Sequence, residues 1–223
     1  MQSEMKKLGA DGLVFFGQIS ASISHELKNV LATVYETAGL MDDLVDISQE
    51  KGEQLDPEHT RKLCSRILEQ IRRGNGIIKN MNSFAHSVDE PLHSVDAVKM
   101  AEFMISLCSR FASIKEVRLE GGNMDFADVS TDPFFLELIL YRCILFALKN
   151  PDEDRKITLS VHSLQDGAEF RLQGTAPITD GFPEPAMTEL RNALQAKLDI
   201  LEDKKGIRIS LPRNLERPPR GLD

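Results

Sequence analysis

Two long stretches of apolar residues at helical spacing, separated by a short polar loop, constrain this chain more than any other feature. In the first, Phe16, Ile19, Ile23, Leu27, Val30, Val34, Met41 and Leu44 recur mostly at three- and four-residue steps, the period of one packed helical face. In the second, Leu63, Ile67, Ile71, Ile78, Met81 and Ala85 do the same. The polar run 48–54 lies between them, and Asp56-Pro57 reads as an N-cap followed by proline in the first turn. The pattern predicts helices over 11–47 and from about 57 to 86, folded as an antiparallel hairpin. A lone hairpin cannot cover its own apolar stripe, so two copies are expected to complete a dimeric four-helix bundle. Gly74 and Gly76 each weaken the second helix by about 1 kcal/mol relative to Ala. Gly74 falls close to the seam, where it serves either close helix packing or a soft point that lets the bundle bend.

After Glu90-Pro91 the pattern becomes mixed. It predicts a helix over 95–111, a strand over 116–120 ending in a turn at Gly121-Gly122, and a short strand over 126–130. Thr131-Asp132-Pro133 opens a helix that runs to Lys149 and stops at Asn150-Pro151. Segments 155–162 and 168–173 alternate around Gln165-Asp166-Gly167, a hairpin signal. A Pro- and Gly-containing link over 174–185, a helix over 186–203 and a strand over 206–211 complete the series. The expected class is α+β: an N-terminal helical hairpin over 1–90, then a small α/β sandwich over 91–213 with helices on one mostly antiparallel sheet, and a disordered tail over 214–223.

Composition narrows the function classes. The chain of 223 residues, 41% hydrophobic, can build real cores. A net charge of -8 with no basic patch argues against nucleic acid and against an anionic membrane surface. No apolar run approaches the about 20 residues that span a bilayer, and no small-residue cleavage site follows Leu13-Val14-Phe15-Phe16, so no signal peptide is read. Cys64, Cys108 and Cys143 are widely spaced and odd in number, which reads as reduced, buried thiols of a cytoplasmic protein without a metal site.

The chemistry-bearing stretch is Ser24-His25-Glu26-Leu27-Lys28-Asn29. At roughly 100° per residue, His25 points away from the seam that holds Ile23 and Leu27. Ala21, Ser22, Lys28 and Asn29 share its face. The ring leans toward the N-terminus over Ala21 and Ser22, whose small side chains leave room for a docked partner. Lys28 offers positive charge to a phosphoryl group. Asn29 offers an amide to orient a water or the ring. Glu26 can accept the proton of the second imidazole nitrogen and leave the attacking nitrogen nucleophilic, although adjacent helical residues do not face each other well. On these six residues alone, an ordinary exposed histidine with charged neighbours is an equally open reading. His59, His86, His93 and His162 lack this setting and read as surface or structural.

Residues 16–31, with this stretch inside them, resemble the H-box of sensor histidine kinases, and Ile77-Ile78-Lys79-Asn80-Met81-Asn82-Ser83-Phe84-Ala85-His86 is similar to the close of that family's dimerisation hairpin. The resemblance implies that His25 carries the phosphoryl group, that Glu26 aids the transfer and that Asn29 supports dephosphorylation of the response regulator. Val30 stands where the family commonly has proline, which implies a straighter helix. Residues 95–129 and the helix after Pro133 share the layout of the kinase ATP-binding fold, with three departures. Phe146, before Ala147, occupies the place of the magnesium-binding asparagine, and Arg142 stands four residues earlier. Gly174-Thr175-Ala176-Pro177 replaces the Asp-x-Gly-x-Gly stretch that reads adenine. The link 174–185 is shorter than an ordinary ATP lid. Magnesium needs oxygen ligands, adenine a polar partner and phosphate a glycine-rich cradle, so neither nucleotide nor a metal of its own is expected.

A kinase-like hairpin joined to a degenerate ATPase-like domain resembles the dimeric histidine phosphotransferases of bacterial phosphorelays. That resemblance implies a cytoplasmic homodimer that shuttles a phosphoryl group between His25 and receiver-domain aspartates. Ser22 and Lys28 would contact the partner, and the receiver would supply Mg2+. Response-regulator receivers are the expected partners, with a hybrid histidine kinase as a further candidate. Two alternatives stand beside it: an atypical histidine kinase that binds ATP and phosphorylates His25 itself, and a non-catalytic dimeric scaffold for response regulators.

Overall fold

The computed structural model describes residues 2–89 and 91–216. Glu90 of the expected boundary and residues 217–223 of the expected tail lie outside the described residues. The described chain separates into two compact units, one over 17–83 and one made of residues up to Phe16 together with those from Phe84 onward. The first residues of α1 and the last of α2 thus group with the sheet-bearing unit.

The hairpin consists of α1 (Gln2–Lys51) and α2 (Pro57–His86). Helix α1 continues through the polar residues 48–51 and ends at Gly52, whose φ of 62° is the left-handed turn that glycine allows. Asp56 starts α2 as expected, its Oδ1 accepting from the Glu58 amide at 2.9 Å. Within residues 17–83 the buried positions are Ile19, Ser22, Ile23, Val30, Thr37, Leu63 and Gly74. Ile71, Ile78 and Met81, expected on the packed face, are exposed. Phe16, the first residue of the expected stripe, is 41% exposed, while its neighbour Phe15 is buried. The buried stripe is narrow because Gly74 allows close approach: a Cβ placed there would lie 3.3 Å from Val30 Cγ1.

The second unit contains β1 (His93–Asp96), α3 (Ala97–Ile114), β2 (Arg118–Met124), β3 (Asp128–Thr131), α4 (Pro133–Lys149), β4 (Lys156–Leu164), β5 (Gly167–Gln173), α5 (Thr188–Ala193), β6 (Lys197–Ile200) and β7 (Gly206–Pro212). Five strands form one sheet in the order β2-β4-β5-β7-β6, and every pairing but β2–β4 is antiparallel. Strands β1 and β3 form a separate antiparallel pair. Helix α3 contacts β2 and β4, and α4 contacts β5 and β7. The layer between them buries Ile157, Leu159, Val161, Phe170, Leu172, Ile207 and Ile209 completely. Helix α4 starts where expected: Asp132 Oδ1 accepts from the Phe135 amide at 3.0 Å, with Pro133 in the first turn. It is buried nearly all round, as an apolar helix must be.

Three expectations need correction. The helix over 186–203 is instead a short helix, α5, followed by strand β6. Leu190, Leu194 and Leu198 are all buried at helical spacing, yet Gln195 adopts φ 51° and turns the chain into the sheet. Gly121-Gly122 does not end a strand; both lie inside β2, where a Cβ on Gly122 would collide with Ser160 and Thr158 of β4. The tail is not free from residue 214, since Asn214 bridges Ser130, the Leu215 amide donates to the Ser130 carbonyl at 2.8 Å and Leu215 is buried. Of the cysteines, Cys108 and Cys143 are buried as expected, and burial pushes both thiols up, while Cys64 is exposed.

Phe15 and Phe84 are fully buried against α4. Their rings meet edge-on at 5.1 Å, and Phe15 lies 4.7 Å from Tyr141 and 5.7 Å from Phe134. Phe84→Ala should therefore cost about 3–5 kcal/mol, read as a lower urea midpoint at unchanged slope. A loss under about 1 kcal/mol would show that this cluster does not hold the unit.

Candidate functional site

His25 lies in mid-helix on α1 and is exposed, as are Ala21, Ser24, Lys28 and Asn29. Among the described residues its ring has no hydrogen bond or ion pair. The backbone beneath it is continuous: no break interrupts α1 at Val30, and Thr33 Oγ1 donates to the Asn29 carbonyl at 3.0 Å. One turn on, Thr37 Oγ1 donates to the Thr33 carbonyl at 2.7 Å. These bonds keep both hydroxyls on the helix backbone. The result is a solvent-facing imidazole on a rigid support, with a primary ammonium and a carboxamide on the same exposed surface.

The structure brings together only part of the expected set. Ser22 is 6% exposed and its Oγ reaches no partner, so it does not offer a surface to a docking protein. The correction has a simple cause, since Ser22 stands one turn before Glu26 on the face turned toward α2. Glu26 makes no hydrogen bond to His25. It is largely covered, and its Oε2 lies 4.0 Å from Nη2 of Arg73 on α2. Arg73 was not singled out by sequence spacing. The available signal was its position next to Gly74, the one glycine of α2 placed near the seam.

The three positions at which the sequence departs from the kinase pattern are engaged within the chain. Phe146 stacks obliquely on Phe182, ring centroids 5.2 Å apart. Arg142 is paired with Asp11 at 2.8 Å. Gly174 has φ 97°, and a Cβ there would run into the Lys156 carbonyl oxygen, so no side chain can stand at that position without moving backbone. Among the described residues no group of three or more His, Cys, Asp or Glu side chains is placed to hold a metal ion. Among the described residues no helix is long and apolar enough to cross a membrane.

No family model matches the chain, and no curated protein is similar to it in sequence. Among solved structures it is similar to the nucleotide-free catalytic domain of the histidine kinase ThkA, with 13% identity and a TM-score of 0.47 over 56% of this chain and 99% of that one. It is also similar to the Acinetobacter baumannii histidine kinase AdeS, with 14% identity and a TM-score of 0.48 over 86% of this chain and 98% of that one. The ATP binding domain of PrrB from Mycobacterium tuberculosis gives 14% identity and a TM-score of 0.47 over 56% and 98%. Such likenesses, below 0.5, concern general arrangement and transfer no residue role.

The orphaned hydroxyl of Ser22 yields a direct check. Removing a buried polar group without a partner relieves a cost of about 1 kcal/mol, so Ser22→Ala should leave the melting temperature unchanged or raise it. A fall equivalent to more than about 1 kcal/mol would mean that the hydroxyl has a partner after all.

Proposed function

We propose that the chain is a dimeric histidine phosphotransferase, in which His25 takes a phosphoryl group from an aspartyl phosphate on one receiver domain and passes it to another. The observation that carries the reading is the exposed, unengaged imidazole of His25 between Lys28 and Asn29 on an unbroken helix. In the transfer, the lone pair of an imidazole nitrogen forms the N–P bond. The P–O bond to the receiver breaks, the aspartate leaves as a carboxylate, and the proton of the other ring nitrogen goes to Glu26. Little covalent chemistry is required of the protein, so positioning and charge compensation dominate. Lys28 supplies charge and Asn29 a polar contact for the phosphoryl oxygens or a water. The receiver brings its own aspartate and Mg2+.

Three structural facts favour transfer over autophosphorylation. Phe146 packs on Phe182, Arg142 is held by Asp11 and the space at Gly174 is closed, and these are the places where the resemblance implies groups that hold a nucleotide. Dimerisation is supported by the apolar side chains that the hairpin leaves uncovered: Tyr35 is 82% exposed, Leu31 65% and Leu68 52%, with Ile71, Ile78 and Met81 nearly as open. Such a row on one hairpin is what a second copy would cover.

Incubation with a phosphorylated receiver should place an acid-labile, alkali-stable label on the chain, and His25→Gln should abolish it. Label that survives this substitution would remove His25 from the reaction. Calorimetric titration with Mg2+-ATP should show no micromolar binding. Micromolar affinity with self-labelling would instead identify a kinase, and receiver binding without label under either condition a scaffold.

A further inference from the structure

Glu26 has two tasks in the proposed transfer that conflict. It must stand ready to take the ring proton, and it must sit beside an incoming phosphoryl group whose negative charge it repels. We propose that Arg73 resolves this conflict as a positioning residue: from α2 it anchors one oxygen of Glu26 and cancels the carboxylate charge seen by the phosphoryl group at His25. The inference rests on the reading of His25 as the phosphoryl carrier.

The packing of the hairpin puts Arg73 there. Gly74, the next residue, is buried against Val30, with room for a Cβ only 3.3 Å from Val30 Cγ1. The two helices therefore come close one turn beyond Glu26, and α2 presents Arg73 to α1 at that level. The guanidinium Nη2 then lies 4.0 Å from Glu26 Oε2, while Oε1 has no partner among the described residues. The covering is unequal: the Arg73 side chain is 56% exposed and that of Glu26 only 19%. A pair this open and this long contributes little to stability. Its effect is on the local field. A phosphoryl group adds about two negative charges. Without Arg73 the Glu26 carboxylate is uncompensated and free to turn toward the phosphoryl oxygens, so Arg73 acts on the transfer through Glu26.

The test uses potassium phosphoramidate, a small donor that needs no receiver. The His25 nitrogen forms the N–P bond, the P–N bond of the donor breaks, ammonia leaves and the proton of the second ring nitrogen goes to Glu26. In the full chain, Arg73→Gln should slow labelling of His25 by about three- to tenfold, and Arg73→Lys, which keeps the charge, should restore most of the rate. In a Glu26→Gln background, Arg73→Gln should change the rate by less than about twofold, because interacting residues are non-additive. The melting temperature should stay within about 2 °C in all Arg73 variants. An unchanged or faster rate in Arg73→Gln would overturn the inference, as would the full loss persisting in the Glu26→Gln background. If Arg73→Gln fails to fold, the inference is overturned in favour of a structural role. If instead the native chain takes no label, or His25→Gln takes as much, it is the His25 reading that falls.

Discussion

Helix α4 is buried nearly all round, and the sheet can cover only one side of it. That constraint organises the second unit. The side away from β5 and β7 needs another apolar surface, and Phe15 and Phe84 supply it, meeting Phe134 and Tyr141 in one aromatic cluster. Two polar links reinforce the same junction: Asp11 pairs with Arg142, and the Ser87 hydroxyl lies 2.8 Å from the buried Glu137 carboxylate. The start of α1 and the end of α2 are thus structural parts of the sheet-bearing unit. A chain cut at residue 90 would strip α4 of its cover and expose several large aromatic faces, each of which dominates local burial energy.

The same helix carries Arg142 and Phe146, and both are engaged with other side chains. Arg142 answers Asp11, and Phe146 answers Phe182. Across from it, Gly174 is required by its own backbone: φ 97° and the proximity of the Lys156 carbonyl exclude any larger residue. A side chain cannot be placed there by a point substitution alone, because the path of the chain between β5 and α5 leaves it no room.

Much of the fold was legible because the signals were long or chemically specific. Asp132-Pro133 marked the start of α4, Asp56-Pro57 the start of α2, and Asp166-Gly167 the β4–β5 turn. Strand β1 was missed because four residues with one buried side chain, Val95, give no period. Strand β6 was hidden by leucines whose four-residue spacing imitates a helix across a left-handed turn at Gln195. The glycines of β2 were read as a turn when their role is close approach to β4. At the site, the exposure of His25, Lys28 and Asn29 followed from helical phase alone. The burial of Ser22 and the neighbourhood of Glu26 did not, since both depend on the other helix.

That difference comes from where the seam lies. The apolar residues of α1 centre on a direction roughly 40° away from the residues that are actually buried, at about 100° per residue. Ser22, Glu26 and Thr37 lie toward α2 while Leu27 and Val34 lie to its flank. The cause is the size of what meets: Gly74 opposes Val30, and small side chains on both helices allow a close approach that larger ones would prevent. Turning the seam this way has two consequences at once. It leaves Leu31 and Tyr35 uncovered, an apolar flank of α1 open to solvent. It also places Glu26 under the reach of Arg73, while His25, Lys28 and Asn29 stay exposed. One glycine on α2 thereby links the packing of the hairpin to the charge around its histidine.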